Sequence, residues 1–158
     1  MSNELTREQQ KRVVVRNSQK IWLALLVPEV LTLGIFLVMA KFGNHTYQSD
    51  PLLRRICLTM SITVLMVTIP LGYFLRIQAY KKAWEGNAVT PLGYFNGNVK
   101  LWLCCLMAAS LSIVFFYVTG FWPLLLIALA AFIVQVANYP TGRPMEPDEA
   151  SYGNKSTS

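Results

Sequence analysis

The chain has 158 residues, 54% of them in the AVILMFWYC set and 14% charged, with a formal net charge of +6. Soluble globular chains carry about 25% charged residues, so a water-soluble domain, a disordered chain and a collagen-like repeat are all poor fits. A mean hydropathy of +0.40 averaged over two polar ends concentrates the apolar residues in the middle and points to a bilayer as the solvent.

Residues 1–20 form a basic leader carrying Arg7, Lys11, Arg12, Arg16 and Lys20. A helix needs about 20 apolar residues to cross roughly 30 Å of hydrocarbon. Four stretches fit, 21–40, 56–75, 101–119 and 121–138. The first is read as a retained anchor and not as a cleaved signal: it exceeds the 7–15 apolar residues of a signal core, and Pro28-Glu29 interrupts it. Pro28 and Pro70 each remove a backbone donor, freeing the carbonyls of Ala24 and Met66, which predicts helix kinks at similar depth.

Between the first two spans, Gly43-Asn44 and Asp50-Pro51 read as turns. Asn44-His45-Thr46 matches a glycosylation acceptor, but its closeness to the membrane argues against use, and His45, the sole histidine, has no partner at metal-ligand spacing. After the second span, Ile77, Tyr80 and Trp84 share a helical face and Lys81 and Glu85 stand at i, i+4, which predicts a helix running on to Glu85 and stopping at Gly86. Thr90-Pro91 then reads as the capped start of the third helix or of a short interfacial one, and residues 87–98 as a well-capped connector.

Gly120 alone separates the third and fourth spans, so they form a tight antiparallel hairpin. Small residues permit close helix approach in lipid, and here they are Cys104, Ala108 and Ser112 facing Ala128 and Ala131, with Ala130 and Ala137 beside them. From Tyr139 onward, Pro140, Gly142, Pro144 and Pro147 predict an extended, disordered tail over 139–158. Cys57 and the pair Cys104-Cys105 fall at different depths, so the thiols are expected to be free and space-filling.

The fold class expected is therefore all-α, an integral membrane four-helix bundle of two antiparallel hairpins filling residues 21–138. Basic residues are retained on the cytoplasmic side. Placing both termini there puts Arg7, Lys11, Arg12, Arg16, Lys20, Arg76, Lys81, Lys82, Lys100, Arg143 and Lys155 inside, and leaves only Lys41, Arg54 and Arg55 outside. Trp22, Tyr80, Trp84, Tyr94 and Trp102 then lie at the inner interface, and Tyr47 and Trp122 at the outer one. This topology explains the positive charge without nucleic acid. The expected partners are the lipid bilayer and a second copy or other membrane subunits, in a bacterial plasma membrane.

Glu29 is the one ionisable carboxylate or base inside a span, about nine residues deep, where an acidic residue costs a few kcal/mol. With no base at its depth, the protonated form is the expected resting state. Counted from the inner face, Thr63, Thr68 and Ser110 lie nearest its level, and Gln135 about 7 Å closer to the cytoplasm. Freed carbonyls, hydroxyls and a carboxyl at one level would line a small polar cavity.

Four short helices with one glutamate in the first, and Glu29-Val30 followed by Lys41-Phe42, resemble the small multidrug resistance transporters. The resemblance covers residues 29–42 and implies a carboxyl that binds protons and cationic substrates in turn. Pro28 stands where that family has a small residue, the interval from Glu29 to Lys41 is about a turn longer, and the basic leader and the 76–100 loop have no counterpart. It is an analogy and assigns no family. No Walker loop, zinc signature, nucleophile elbow or dinucleotide fingerprint occurs. The leading expectation is a structural or accessory membrane subunit, not an enzyme, with no cofactor and no metal; the alternative is a proton-coupled small-molecule transporter using Glu29 with Thr63, Thr68 and Ser110.

Overall fold

The computed structural model describes residues 2–42, 50–85 and 88–146, and among these four α-helices account for nearly all of the chain. The Asn44-His45-Thr46 motif, Tyr47, Gly86 and the chain from Pro147 onward lie outside the described residues. The helices are α1 (Ser2–Phe42), α2 (Pro51–Lys82), α3 (Pro91–Thr119) and α4 (Pro123–Ala137). The first three are long and apolar enough to cross a membrane. α4, with 15 residues, is about 22 Å long.

α1 takes in the basic leader without a break. Residues 2–20 contain no Gly or Pro and many good helix formers, so nothing stops the helix at the start of the apolar stretch. Its 41 residues make a rod of about 60 Å, twice the thickness of the hydrocarbon. Pro28 and Pro70 both lie inside continuous helices. Below Pro28 the Thr32 hydroxyl donates to the Pro28 carbonyl at 2.7 Å.

α2 starts earlier than the hydropathy suggests. Asp50-Pro51 is a helix start and not a loop turn: the Asp50 carboxylate accepts from Leu52 N at 3.0 Å, and Pro51 fills the first position, where no donor is needed. Its other end comes sooner than the expected Glu85. The Ala83 N–H caps Ala79 and Tyr80, and the chain turns into an antiparallel pair of short strands, β1 (Trp84–Glu85) and β2 (Ala88–Val89). Burial explains the turn, because Ala88 and Val89 are buried and Val89 packs with Tyr94 and Met145. The expected Lys81–Glu85 pairing along a helix is thereby replaced. Thr90-Pro91 does start α3, with the Thr90 hydroxyl accepting from Gly93 N at 3.3 Å.

α3 is the central helix, packed on α1, α2 and α4. Two glycines set the α2–α3 approach. A methyl at Gly72 would stand 2.9 Å from Leu101 Cδ1, and one at Gly97 would stand 2.6 Å from the Tyr80 ring. At the far end of α3, Gly120 adopts φ 64° and donates to the Phe116 carbonyl at 2.7 Å, closing the expected hairpin with α4. Ala108 and Ala131 meet there with Ala109, against Val64 and Leu65 of α2, and Ser112 and Ala128 are buried beside them. Cys104 is the exception in this stripe. It packs toward α2 at Gly72, and Cys105 takes the buried position instead. The three cysteines are free.

The first part of the tail is folded, contrary to the extended, disordered course expected from its prolines. Residues 139–146 turn back over α1 and α3 and end in a 3₁₀ turn at Arg143–Met145. Gly142 adopts φ 81° and donates its N–H to the Tyr94 hydroxyl at 3.0 Å, while Met145 packs against Val14 and Val15. Lys11 and Glu146 close the turn as an ion pair at 2.9 Å. Lys11 holds the Glu146 carboxyl below its usual range, first through this hydrogen bond and then through its charge.

Candidate functional site

Glu29 is placed by a stripe of α1. Positions 18, 22, 29, 33 and 36 recur at steps of three, four and seven residues and fall on one helical face. Ser18 and Glu29 of that stripe are buried, and Leu33 and Phe36 pack against the cluster of Phe116, Leu124 and Leu125. Glu29 is only 6% exposed, and neither carboxylate oxygen makes a hydrogen bond within the described chain. It lines a cavity of about 120 Å³ together with Val30, Leu33, Ala109, Ile113, Ala128, Leu129 and Phe132. Every other wall residue is apolar.

The expected polar cluster is not assembled. Thr63 is exposed and donates to its own helix at Thr59 O, 2.9 Å. Thr68 does the same to Val64 O at 2.8 Å, and Ser110 is exposed. The reason is helix arrangement for two of them and rotation for the third: α2, which carries Thr63 and Thr68, packs on α3 and α4, and Ser110 lies on an exposed face of α3. In their place α3 offers Ala109 and Ile113. Hydroxyls in apolar surroundings bond back to the carbonyl four residues earlier, which removes them as ligands.

A denser polar array lies at the end of the bundle that carries Arg76. Arg76 Nη1 donates to the Asn138 side-chain oxygen at 2.6 Å, and its Nε donates to the Tyr80 hydroxyl at 3.0 Å. Tyr80 donates in turn to Asn98 at 3.2 Å, and Asn138 Nδ2 donates to the Tyr73 hydroxyl at 2.7 Å. Two indoles complete it. Trp22 Nε1 donates to the Gln135 carbonyl at 3.1 Å and Trp102 Nε1 to the Asn138 carbonyl at 3.2 Å.

The array has a clear structural task. The last carbonyls of a helix have no partners of their own and carry its negative dipole end. At the end of α4 they meet two indole donors and, through Asn138, a guanidinium. Trp102 and Tyr94 are accordingly almost wholly buried, and not the headgroup-facing belt residues expected from composition. Sequence reading missed Asn98, Ser18 and Ser61 as buried polar positions and Asn138 as a part-buried one. Asn138 was signalled only by its place at the end of an apolar run, opposite Arg76 at equal depth. Among the described residues, no three His, Cys, Asp or Glu side chains come together.

No protein-family model matches this chain, and no curated protein and no solved structure is significantly similar to it.

Proposed function

We propose that the chain is a non-catalytic structural or accessory subunit of a membrane assembly, with four spans and both termini in the cytoplasm of a bacterial cell. The observation that carries this reading is the use made of the polar side chains. Thr63, Thr68, Ser112 and Thr119 bond to their own helices, and Arg76, Tyr80, Asn98, Trp102 and Asn138 bind the end of α4. A set of groups converging on a substrate is not part of that pattern. The four-span topology is supported by the pairing of α4 with α3. The far end of α4 sits at Phe116, whose ring lies 5.6 Å from that of Trp122, and the near end at Trp102. Fourteen residues of α3, about 21 Å, separate those levels. The test is native electrophoresis of gently solubilised source membranes. The chain is expected in an assembly larger than the purified protein forms alone, and equal migration of the two would contradict the reading.

One observation favours a second reading, a proton-coupled transporter: Glu29 is a buried carboxyl without a partner, which in a membrane is a functional-site signal. In proteoliposomes this reading expects substrate-driven proton movement that Glu29→Gln abolishes with folding intact. An accessory subunit gives no such movement in either form.

A further inference from the structure

Buried polar side-chain atoms almost always have a partner, either in the protein or in ordered water. Six in the described residues make no hydrogen bond within the chain: Ser18 Oγ, both oxygens of Glu29, Ser61 Oγ, and the side-chain oxygen and nitrogen of Gln135. Five of these six belong to α1 and α4, two helices that both pack on α3. Ser61, on α2, is the remaining one.

Their order along the seam follows from the contacts. α1 and α4 are antiparallel, since Leu33 and Phe36 pack near the start of α4 while Trp22 reaches its end. Trp22 is one turn beyond Ser18 and bonds to the Gln135 carbonyl, so Gln135 stands at the Ser18 end. Phe132, one turn back along α4, walls the cavity of Glu29. Side chains on a helix lean toward its N-terminus. Glu29 therefore leans toward Ser18, and Gln135, on the antiparallel helix, leans toward Glu29. Ser18 and Gln135 are fully buried. Beyond Glu29 the seam is closed by Leu33, Phe36, Leu37, Phe116, Leu124 and Leu125.

We propose that the α1–α4 seam binds a short file of water molecules that joins Glu29 to the Ser18 end of the bundle, and that Glu29 exchanges protons through that end alone. Gln135, with a donor and an acceptor, is the midpoint of the file, and about two or three waters at ordinary hydrogen-bond spacing complete it. Ser18 is its mouth. The cavity of about 120 Å³ has room for several water molecules, and Glu29 is the polar group in its wall; Gln135 and Ser18 supply the further partners that buried waters need. No other charge competes along the track. α4 has no titratable residue, and α3 contributes only the thiol of Cys105, close enough to interact with a Glu29 charge. Arg76 of α2 is part-buried and held by Asn138, three residues beyond Gln135; on α1, Arg12, Arg16 and Lys20 are exposed and Lys11 is half-buried. This proposal does not depend on whether the chain transports or scaffolds.

The test uses the full chain in phosphatidylcholine–phosphatidylglycerol vesicles at about pH 3, below the ordinary carboxylate range, where the carboxyl is in its acid form. The infrared carbonyl band of Glu29 is assigned by its loss in Glu29→Gln and followed after transfer to deuterated buffer. The wild-type band is expected to shift within minutes, and Gln135→Leu, which keeps the volume and removes both polar atoms, to slow the shift about tenfold or more. Phe36→Leu, on the closed side, is expected to exchange at the wild-type rate. A wild-type band still unshifted after hours overturns the proposal, as does Gln135→Leu exchanging like wild type. Should Gln135→Leu lose its helical fold, Ser18→Val replaces it, with the same two outcomes.

Discussion

Glycines of identical composition do opposite things in this chain, and their surroundings decide which. A methyl group at Gly97 would stand 2.6 and 2.9 Å from atoms of the Tyr80 ring and 3.3 Å from the Arg76 carbonyl. The ring is held by Arg76 and Asn98, so it has little room to retreat. Gly97→Ala is expected to destabilise the protein by about 1–3 kcal/mol, the usual cost of overpacking. Gly34 has nothing within 4 Å of the same added atom, on an exposed turn of α1. There Ala gains helix propensity, so Gly34→Ala is expected to be neutral or stabilising by up to about 1 kcal/mol. Thermal unfolding of both variants in one detergent checks the contrast, and a destabilised Gly34→Ala would show that α1 has a partner on that face.

Asn138 is the residue on which the end of α4 depends most. Its side chain accepts from Arg76 and donates to Tyr73 and to the Val134 carbonyl at 2.8 Å. Hydrogen bonds to charged groups contribute more than neutral ones, so Asn138→Leu is expected to cost about 2–3 kcal/mol in unfolding free energy. Asn138→Asp keeps an acceptor for Arg76 and is expected to recover part of that loss.

At the scale of elements, the folded part of the tail is held by three small contacts whose removal is separable. Tyr94→Phe leaves the Gly142 N–H without its acceptor, and is expected to raise exchange at that amide by about tenfold, the effect of losing one buried hydrogen bond. The ion pair gives the same segment a pH dependence. Because the Glu146 carboxyl is held low in the folded state, its stabilising contribution is full above the ordinary carboxylate range and lost as pH falls through the lowered value. Glu146 is exposed, so the effect is small. Protection of the Gly142 amide, measured against the unstructured exchange rate at the same pH, should therefore fall on acidification in the wild type and already be lower at neutral pH in Glu146→Gln; equal protection in all three conditions would exclude the ion pair as a tether.

The elements were legible in the sequence to different degrees, for physical reasons. Helix content and the α3–α4 hairpin follow from long apolar runs and one glycine, which are local signals. Thr90-Pro91 reads correctly because a cap is local too, and Asp50-Pro51 carries the same signature but stands in a turn-rich stretch that invites a loop reading. The end of α2, the folded tail and the surroundings of Glu29 depend on which face each helix turns to the others. Depth can be counted from residue number, but rotation about the axis cannot, because the apolar residues of membrane helices occupy all faces. Thr63, Thr68 and Ser110 match Glu29 by depth count, but the first two stand on α2, which packs on α3 and α4, and Ser110 faces outward from α3. Val13, Leu31, Ile35, Met66 and Val67, exposed in the monomer, show how little apolarity distinguishes inside from outside here.

For the whole molecule, the account turns on α4. Three helices are long and apolar enough to cross a membrane by themselves, and α4, at 15 residues, falls short of the length usually needed. It carries Trp122 and the hairpin at one end and the Arg76, Asn138 and Tyr139 group at the other, which supports the proposed fourth span. The proposed fourth crossing would put the tail on the side of the leader, and Lys11 and Glu146 do pair. The most direct measurement is the sidedness of three reporters in oriented vesicles: one fused to each terminus and one thiol label at Trp122→Cys in a background lacking the native cysteines. The account predicts that the two termini share one side and the label reports the opposite side. Termini on opposite sides, or a label on the side of the leader, would contradict it.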